Sequence, residues 1–260
     1  MHNLLEIRDV VKKFHIGTPD ETTLFSGFGF EVQEGDFIAV VGSNGSGKTT
    51  LLNLISGSLQ PESGSVLFRD QNITRMPEYR RAGFIGRVFQ DPQKGSCPEL
   101  TILENMALAD NKKGRYGLTT AVNRKRMEYY ASQLRGCDMG LEDRLNVTVG
   151  SLSGGQRQAL ALVIANMTDI DLLLLDEHTA ALDPRSSQTV MRLTDRLIRE
   201  KGRTTLMVTH NLRFALEYGN RLVMMHAGQV VLDVRGEEKA QTDINDLLKL
   251  FNEISIECGN

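Results

Sequence analysis

The chain has 260 residues, 40% hydrophobic and 24% charged, and carries a formal net charge of −3. This is the make-up of an ordinary globular protein, with no basic field of the kind that would make nucleic acid the expected partner. The three widely spaced cysteines, Cys97, Cys137 and Cys258, exclude a disulfide framework or a C-x-x-C zinc site, and the longest apolar run, Ala159 to Ala165, is too short to cross a bilayer. Residues 4–41 read as short strands separated by turns at Gly17-Thr18-Pro19-Asp20 and Glu34-Gly35-Asp36. The last of them, Asp36 to Val41, has the continuous apolar character of a buried strand. Residues 48–56 then read as a helix that Gly57 stops.

Between that strand and that helix lies Gly42-Ser43-Asn44-Gly45-Ser46-Gly47-Lys48-Thr49, which fits G-x-x-x-x-G-K-[ST] without a mismatch. Glycines let the backbone curl with its N–H groups inward, and the following helix aims its positive dipole end at the same point. Lys48 is expected to reach the β- and γ-phosphates of a nucleoside triphosphate, and the Thr49 hydroxyl to hold Mg²⁺. Thr50 continues the loop into the helix.

Pro61-Glu62-Ser63-Gly64 is a turn, residues 65–68 read as a strand, and residues 83–89 as another. From Asp91 to Val149 the composition shifts towards Met, Tyr, Arg and helix formers, broken at Pro92, Pro98, Gly114 to Gly117 and Gly136, and predicts a mainly helical insertion. The basic runs at 112–115 and 124–126 read as solvated faces. A regular alternation follows: helix 154–167, strand 172–175, helix 185–200, strand 204–208, helix 211–218, and strands 221–226 and 229–234. Alternating strands and helices imply a mostly parallel sheet covered on both faces. Apolar residues at 244, 247, 248, 250, 251 and 254 predict an amphipathic terminal helix.

The four leucines 172–175 deliver Asp176 and Glu177 to the end of a buried strand. A carboxylate there organises Mg²⁺ and its waters, and one a residue later can polarise a water aligned with the γ-phosphate. The decisive element is Leu152-Ser153-Gly154-Gly155-Gln156. With it, the sequence resembles the ATP-binding cassette (ABC) ATPases from about residue 4 to 235, every motif in the family's order. Gln90 falls at the family's Q-loop, Asp183 at its D-loop, His210 at its switch histidine, and Phe14 where an aromatic stacks on adenine.

The resemblance implies a P-loop NTPase of the ABC type: an α/β fold with a mostly parallel core, an N-terminal antiparallel β-subdomain and an inserted helical subdomain. The expected division is 1–90, 91–153, 154–235 and a C-terminal helix in 236–260. It further implies that Glu177 is the general base, that His210 holds the γ-phosphate and the attacking water, and that Gln90 joins Thr49 and Asp176 around Mg²⁺. Leu152 to Gln156 would clamp ATP bound to a second copy, in a head-to-tail dimer with two ATP molecules at its interface. Integral membrane permease subunits, and indirectly an extracellular solute-binding protein, are the implied partners, which would place the chain on the cytoplasmic face of the membrane.

Two positions depart from the family. His178 stands where proline is usual, either acting beside the base or merely tolerated in a loop, and the helix after Gln156 lacks the arginines many relatives carry. These features, together with Phe89-Gln90-Asp91-Pro92 and Thr209-His210-Asn211, look like a bacterial importer subgroup that accompanies LivH-like permeases and lipoprotein-type binding proteins and is associated with uptake of tryptophan or tyrosine. The competing readings are an exporter or lipoprotein-release ATPase and a soluble ABC ATPase of iron–sulfur cluster assembly.

Overall fold

The computed structural model describes residues 3–111 and 122–257, in two compact units, one formed by residues 3–82 and 202–257 and the other by residues 83–111 and 122–201. Cys258 and the basic run at 112–115 lie outside the described residues. In the first unit β1 (Asn3–Phe14) pairs antiparallel with β2 (Thr22–Gln33), and β3 (Phe37–Gly42) runs directly into α1 (Lys48–Ser56). β4 (Ser63–Phe68) pairs antiparallel with β1 on its other edge and β5 (Gln71–Asn72) extends that sheet, ahead of the short α2 (Glu78–Arg81). β1 is bulged near Asp9, which takes a left-handed φ of 50° where its register with both neighbours slips.

In the second unit β6 (Ile85–Val88) leads to α3 (Ile102–Asp110), α4 (Met127–Arg135) and α5 (Gly154–Met167), then β7 (Leu172–Asp176) and α6 (Pro184–Lys201). β7 is buried at every residue and pairs parallel with β6, as four consecutive leucines require of a strand covered on both faces. α3 begins in a capping box between Thr101 and Glu104. α6 buries Ser187, Val190, Met191, Thr194 and Ile198, a helical stripe.

The chain returns to the first unit with β8 (Thr204–Val208), α7 (Leu212–Glu217), β9 (Arg221–His226), β10 (Gln229–Arg235), α8 (Gly236–Gln241) and α9 (Ile244–Glu257). β3 lies between β8 and β9, parallel to both, and β10 closes that edge antiparallel to β9. Phe37 to Val41 of β3 and all of β8 are buried, so the strand before the phosphate loop is the centre of this core. Arg221 joins β9 to the antiparallel sheet. It pairs with Asp233 at 2.6 Å, donates to the Glu31 carbonyl at 2.7 Å and lies over the Phe30 ring.

Arg81 is a second buried guanidinium, 1% exposed. Its N–H groups reach the carbonyls of Met76, Leu54, Ile55, Ile73 and Thr74 at 2.6–3.0 Å, so it caps the C-terminal turn of α1 and holds the 73–76 loop against it. Gly57 makes room for that side chain: it has φ 85°, and a Cβ there would lie 2.7 Å from Arg81 Nε. The helices at 48–56 and 154–167 and the strand at 204–208 have the residues their patterns predict, whereas α8 carries no periodicity strong enough to predict it. Its Lys239 is buried and donates to the Tyr218 and Gly219 carbonyls beyond α7.

Candidate functional site

The phosphate loop is built in the first unit. β3 ends at Gly42, and α1 starts at Lys48 with Gly47 as its N-cap in the left-handed region, φ 105°. A Cβ on Gly47 would lie 2.8 Å from the Phe25 ring, so glycine is required on both counts. The Lys48 ammonium is buried and donates to the carbonyls of Gly42 and Ser43, both at 2.9 Å. Ser43 Oγ lies 3.3 Å from His226 Nδ1, and the Gly228 amide donates to the Ser46 carbonyl, so the β9–β10 hairpin braces the loop from the side. Asn44, Gly45 and Thr49 are exposed, and Thr50 is half-buried. β8 runs beside β3 in register Val40↔Val208, and the Thr209 amide donates to the Val40 carbonyl. His210, exposed just past that strand, therefore leaves the same sheet edge as the phosphate loop. Phe14 closes β1, half-buried, with Lys12 Nζ 5.4 Å from its ring centre.

The second unit gathers the remaining candidates. β6 and β7 run parallel in register Val88↔Leu175, so Gln90 and the pair Asp176–Glu177 leave one edge together. Gln90 is exposed. Gln158, buried on α5, donates to the Phe89 carbonyl at 3.1 Å and ties the Q-loop to the signature helix. Asp176 accepts a bond of 2.6 Å from Arg87, and both side chains are 12% exposed. Glu177 takes a left-handed φ of 46°, and its carbonyl accepts from the Ala180 amide, which starts the turn after β7.

His178 is 2% exposed, with Nε2 3.1 Å from Thr194 Oγ1. Thr194 commits its own proton to the Val190 carbonyl at 2.8 Å, so the histidine must be the donor, as the neutral Nε2–H tautomer. Burial pushes its pKa down to about 4. A ring so enclosed and neutral anchors the turn to α6.

The signature opens α5. Ser153 is the N-cap, its Oγ accepting from the Gln156 amide while its own amide donates to Gln156 Oε1. Ser153 is exposed and Leu152 buried. Gly154 and Gly155 let α6 approach, since a Cβ on either would lie 3.3 Å from Leu182 or 3.1 Å from Ser186. Asp183 caps α6 through the amides of Arg185 and Ser186, and the Ser186 hydroxyl with those amides holds its carboxyl below the usual range.

A family model described as "ABC transporter" matches residues 25–180. The chain belongs to the ABC transporter ATP-binding family. It is 43% identical over 250 residues to the tyrosine transport ATP-binding protein of Clostridioides difficile (strain R20291), covering 95% of this chain and 98% of that one. An ATP-binding cassette of an ABC transporter solved in its ADP conformation shares 29% identity and a TM-score of 0.79 over 100% of both chains. A dimeric cassette in a post-hydrolysis state with ADP and Pi shares 28% identity and a TM-score of 0.76, over 89% of this chain and 98% of that one. The ABC chain is thus an ATPase whose hydrolysis is coupled to transport.

Sequence reasoning passed over Arg81, Arg87 and Gln158. Arg87 left a usable signal. It stands between Ile85 and Val88 in a strand, and a charge there requires a counter-charge on a neighbouring strand.

Proposed function

We propose that this ABC ATPase is the ATP-hydrolysing subunit of a bacterial importer, working as a dimer on the cytoplasmic face of the membrane, with an aromatic amino acid as cargo. The observation that carries the cargo is the near full-length likeness to a tyrosine transport ATP-binding protein. No helix among the described residues is long and apolar enough to cross a membrane, so permease partners would supply the path.

In this reading the loop amides from Ser43 to Thr50 and the Lys48 ammonium hold the phosphates, and Phe14 stacks on adenine. The Thr49 hydroxyl, the Asp176 carboxylate and Gln90 are hard oxygen donors, the type Mg²⁺ takes alongside substrate phosphates. When bound, that ion neutralises charge on the β- and γ-phosphates. Glu177 accepts a proton from water as its oxygen bonds to the γ-phosphorus and the bond to ADP breaks, with His210 orienting that water. Ser153, Gly154 and Gly155 of a second copy close over the γ-phosphate at the start of α5, a helix N-terminus suited to an anion. Asp183 lies on the same interface.

The test is Glu177→Gln in the full chain. Hydrolysis should fall by at least about a hundredfold, and ATP should shift the variant to a dimer in size-exclusion chromatography. Turnover equal to the unsubstituted chain would remove Glu177 from the base's role.

A further inference from the structure

β6 and β7 pair Arg87 with Leu174, and Asp176 lies two residues further along β7, so Arg87 and Asp176 share one face of the sheet. Phe89, two residues beyond Arg87, lies under the guanidinium with 4.8 Å between its ring centre and Arg87 Cζ. An arginine so seated is held in place before it meets the carboxylate. The bond to Asp176 Oδ2, at 2.6 Å between side chains each 12% exposed, is a short charge-assisted pair with little water around it. A carboxylate this far out of water needs a counter-charge whether or not a metal is bound.

We propose that Arg87 is the resident counter-cation of Asp176 and competes with Mg²⁺ for that carboxylate, so that this pair sets the Mg²⁺ concentration at which the chain takes up nucleotide. The inference rests on Asp176 serving the metal. A metal ion brought to Asp176 meets a positive charge already in contact with it, and that repulsion weakens the metal. The pair would therefore favour loading only when Mg²⁺ and nucleotide arrive together.

The experiment measures equilibrium binding of a fluorescent ATP analogue to the full chain, in EDTA and across a Mg²⁺ titration. It compares the unsubstituted chain with Arg87→Met and Arg87→Lys, and repeats Arg87→Met in an Asp176→Asn background. Arg87→Met should lower the half-saturating Mg²⁺ about tenfold and leave metal-free affinity within about twofold. Arg87→Lys, which keeps the charge, should stay near the unsubstituted value, and Arg87→Met should have no effect once Asp176 is Asn. Arg87→Gln replaces Arg87→Met if the latter does not fold, with the same expectation. An unchanged Mg²⁺ requirement overturns the proposal. So does a raised one, which would make Arg87 an orienting partner that helps Asp176 hold the metal. Failure of the unsubstituted chain to bind the analogue, or to respond to Mg²⁺ at all, would instead overturn the proposed function.

Discussion

Arg81→Met tests how the phosphate-loop helix is secured. Arg81 offers five N–H donors, and five backbone carbonyls receive them: Leu54 and Ile55 at the end of α1, and Ile73, Thr74 and Met76 in the facing loop. Methionine fills much of the same space but donates nothing. If each carbonyl turned towards an apolar stem costs about 1 kcal/mol, the five together cost about 5 kcal/mol. Relief from holding a cation out of water, the burial that pushes Arg81 down to about 10, returns about 3 kcal/mol of this and leaves a loss of about 2 kcal/mol. In thermal unfolding of the full chain that corresponds to about 5 °C. Arg81→Lys keeps the charge but has three donors against five acceptors, and should recover less than half of the loss. ATP affinity of the folded Arg81→Met chain should be unchanged, because the loop lies at the other end of a helix about 13 Å long. A loss under about 1 kcal/mol would show that water replaces the guanidinium and refute the capping argument.

Gly47→Ala should abolish ATP binding in calorimetry and lower the unfolding midpoint, since the new methyl meets the Phe25 ring at a φ of 105°; normal affinity would mean that the loop can relax. His178 makes stability depend on pH. Its folded pKa of about 4 lies below its ordinary 6.5, so the unfolded chain binds the extra proton, and stability present above pH 6.5 is lost as pH falls towards 4, by about 3 kcal/mol in all. His178→Gln should flatten that window in urea titrations, and an identical pH profile would contradict the neutral, buried imidazole. Gln158→Ala removes the bond to the Phe89 carbonyl and should lower ATP turnover severalfold at saturating ATP with little change in nucleotide affinity. A pure loss of affinity would contradict a role in positioning the Q-loop.

The elements most legible in the sequence were those whose local signals agree with the core that buries them. α5 has a capping box at Ser153 and Gln156, and β7 has four leucines that leave it no exposed face. The phosphate loop was legible because glycine, lysine and threonine at fixed spacing have one shared use. What escaped were bonds between segments far apart in the chain. Gln158 and Phe89 are 69 residues apart, Arg87 and Asp176 89 apart, and neither pairing has a local pattern. α8 is short and mostly polar, and it is fixed by Lys239 reaching the carbonyls beyond α7 rather than by an apolar stripe of its own.

These long-range bonds explain how the turn carrying Glu177, the proposed base, keeps its shape. A non-glycine residue at φ 46° costs on the order of 1–3 kcal/mol and persists only where its surroundings over-determine it. Glu177 has such surroundings on both sides. Asp176 before it is fixed by Arg87, and His178 after it is fixed by Thr194 in the buried face of α6. With both neighbours held, relaxation of Glu177 to a commoner backbone angle pulls on the Asp176 ion pair and on the His178 ring. Under the role proposed for Glu177, His178 serves catalysis by holding that turn. His178→Gln, which can still donate to Thr194, should then keep more ATPase activity than His178→Ala, which cannot. Equal activity in the two variants, both folded at pH 8, would mean that the turn keeps its shape without that anchor.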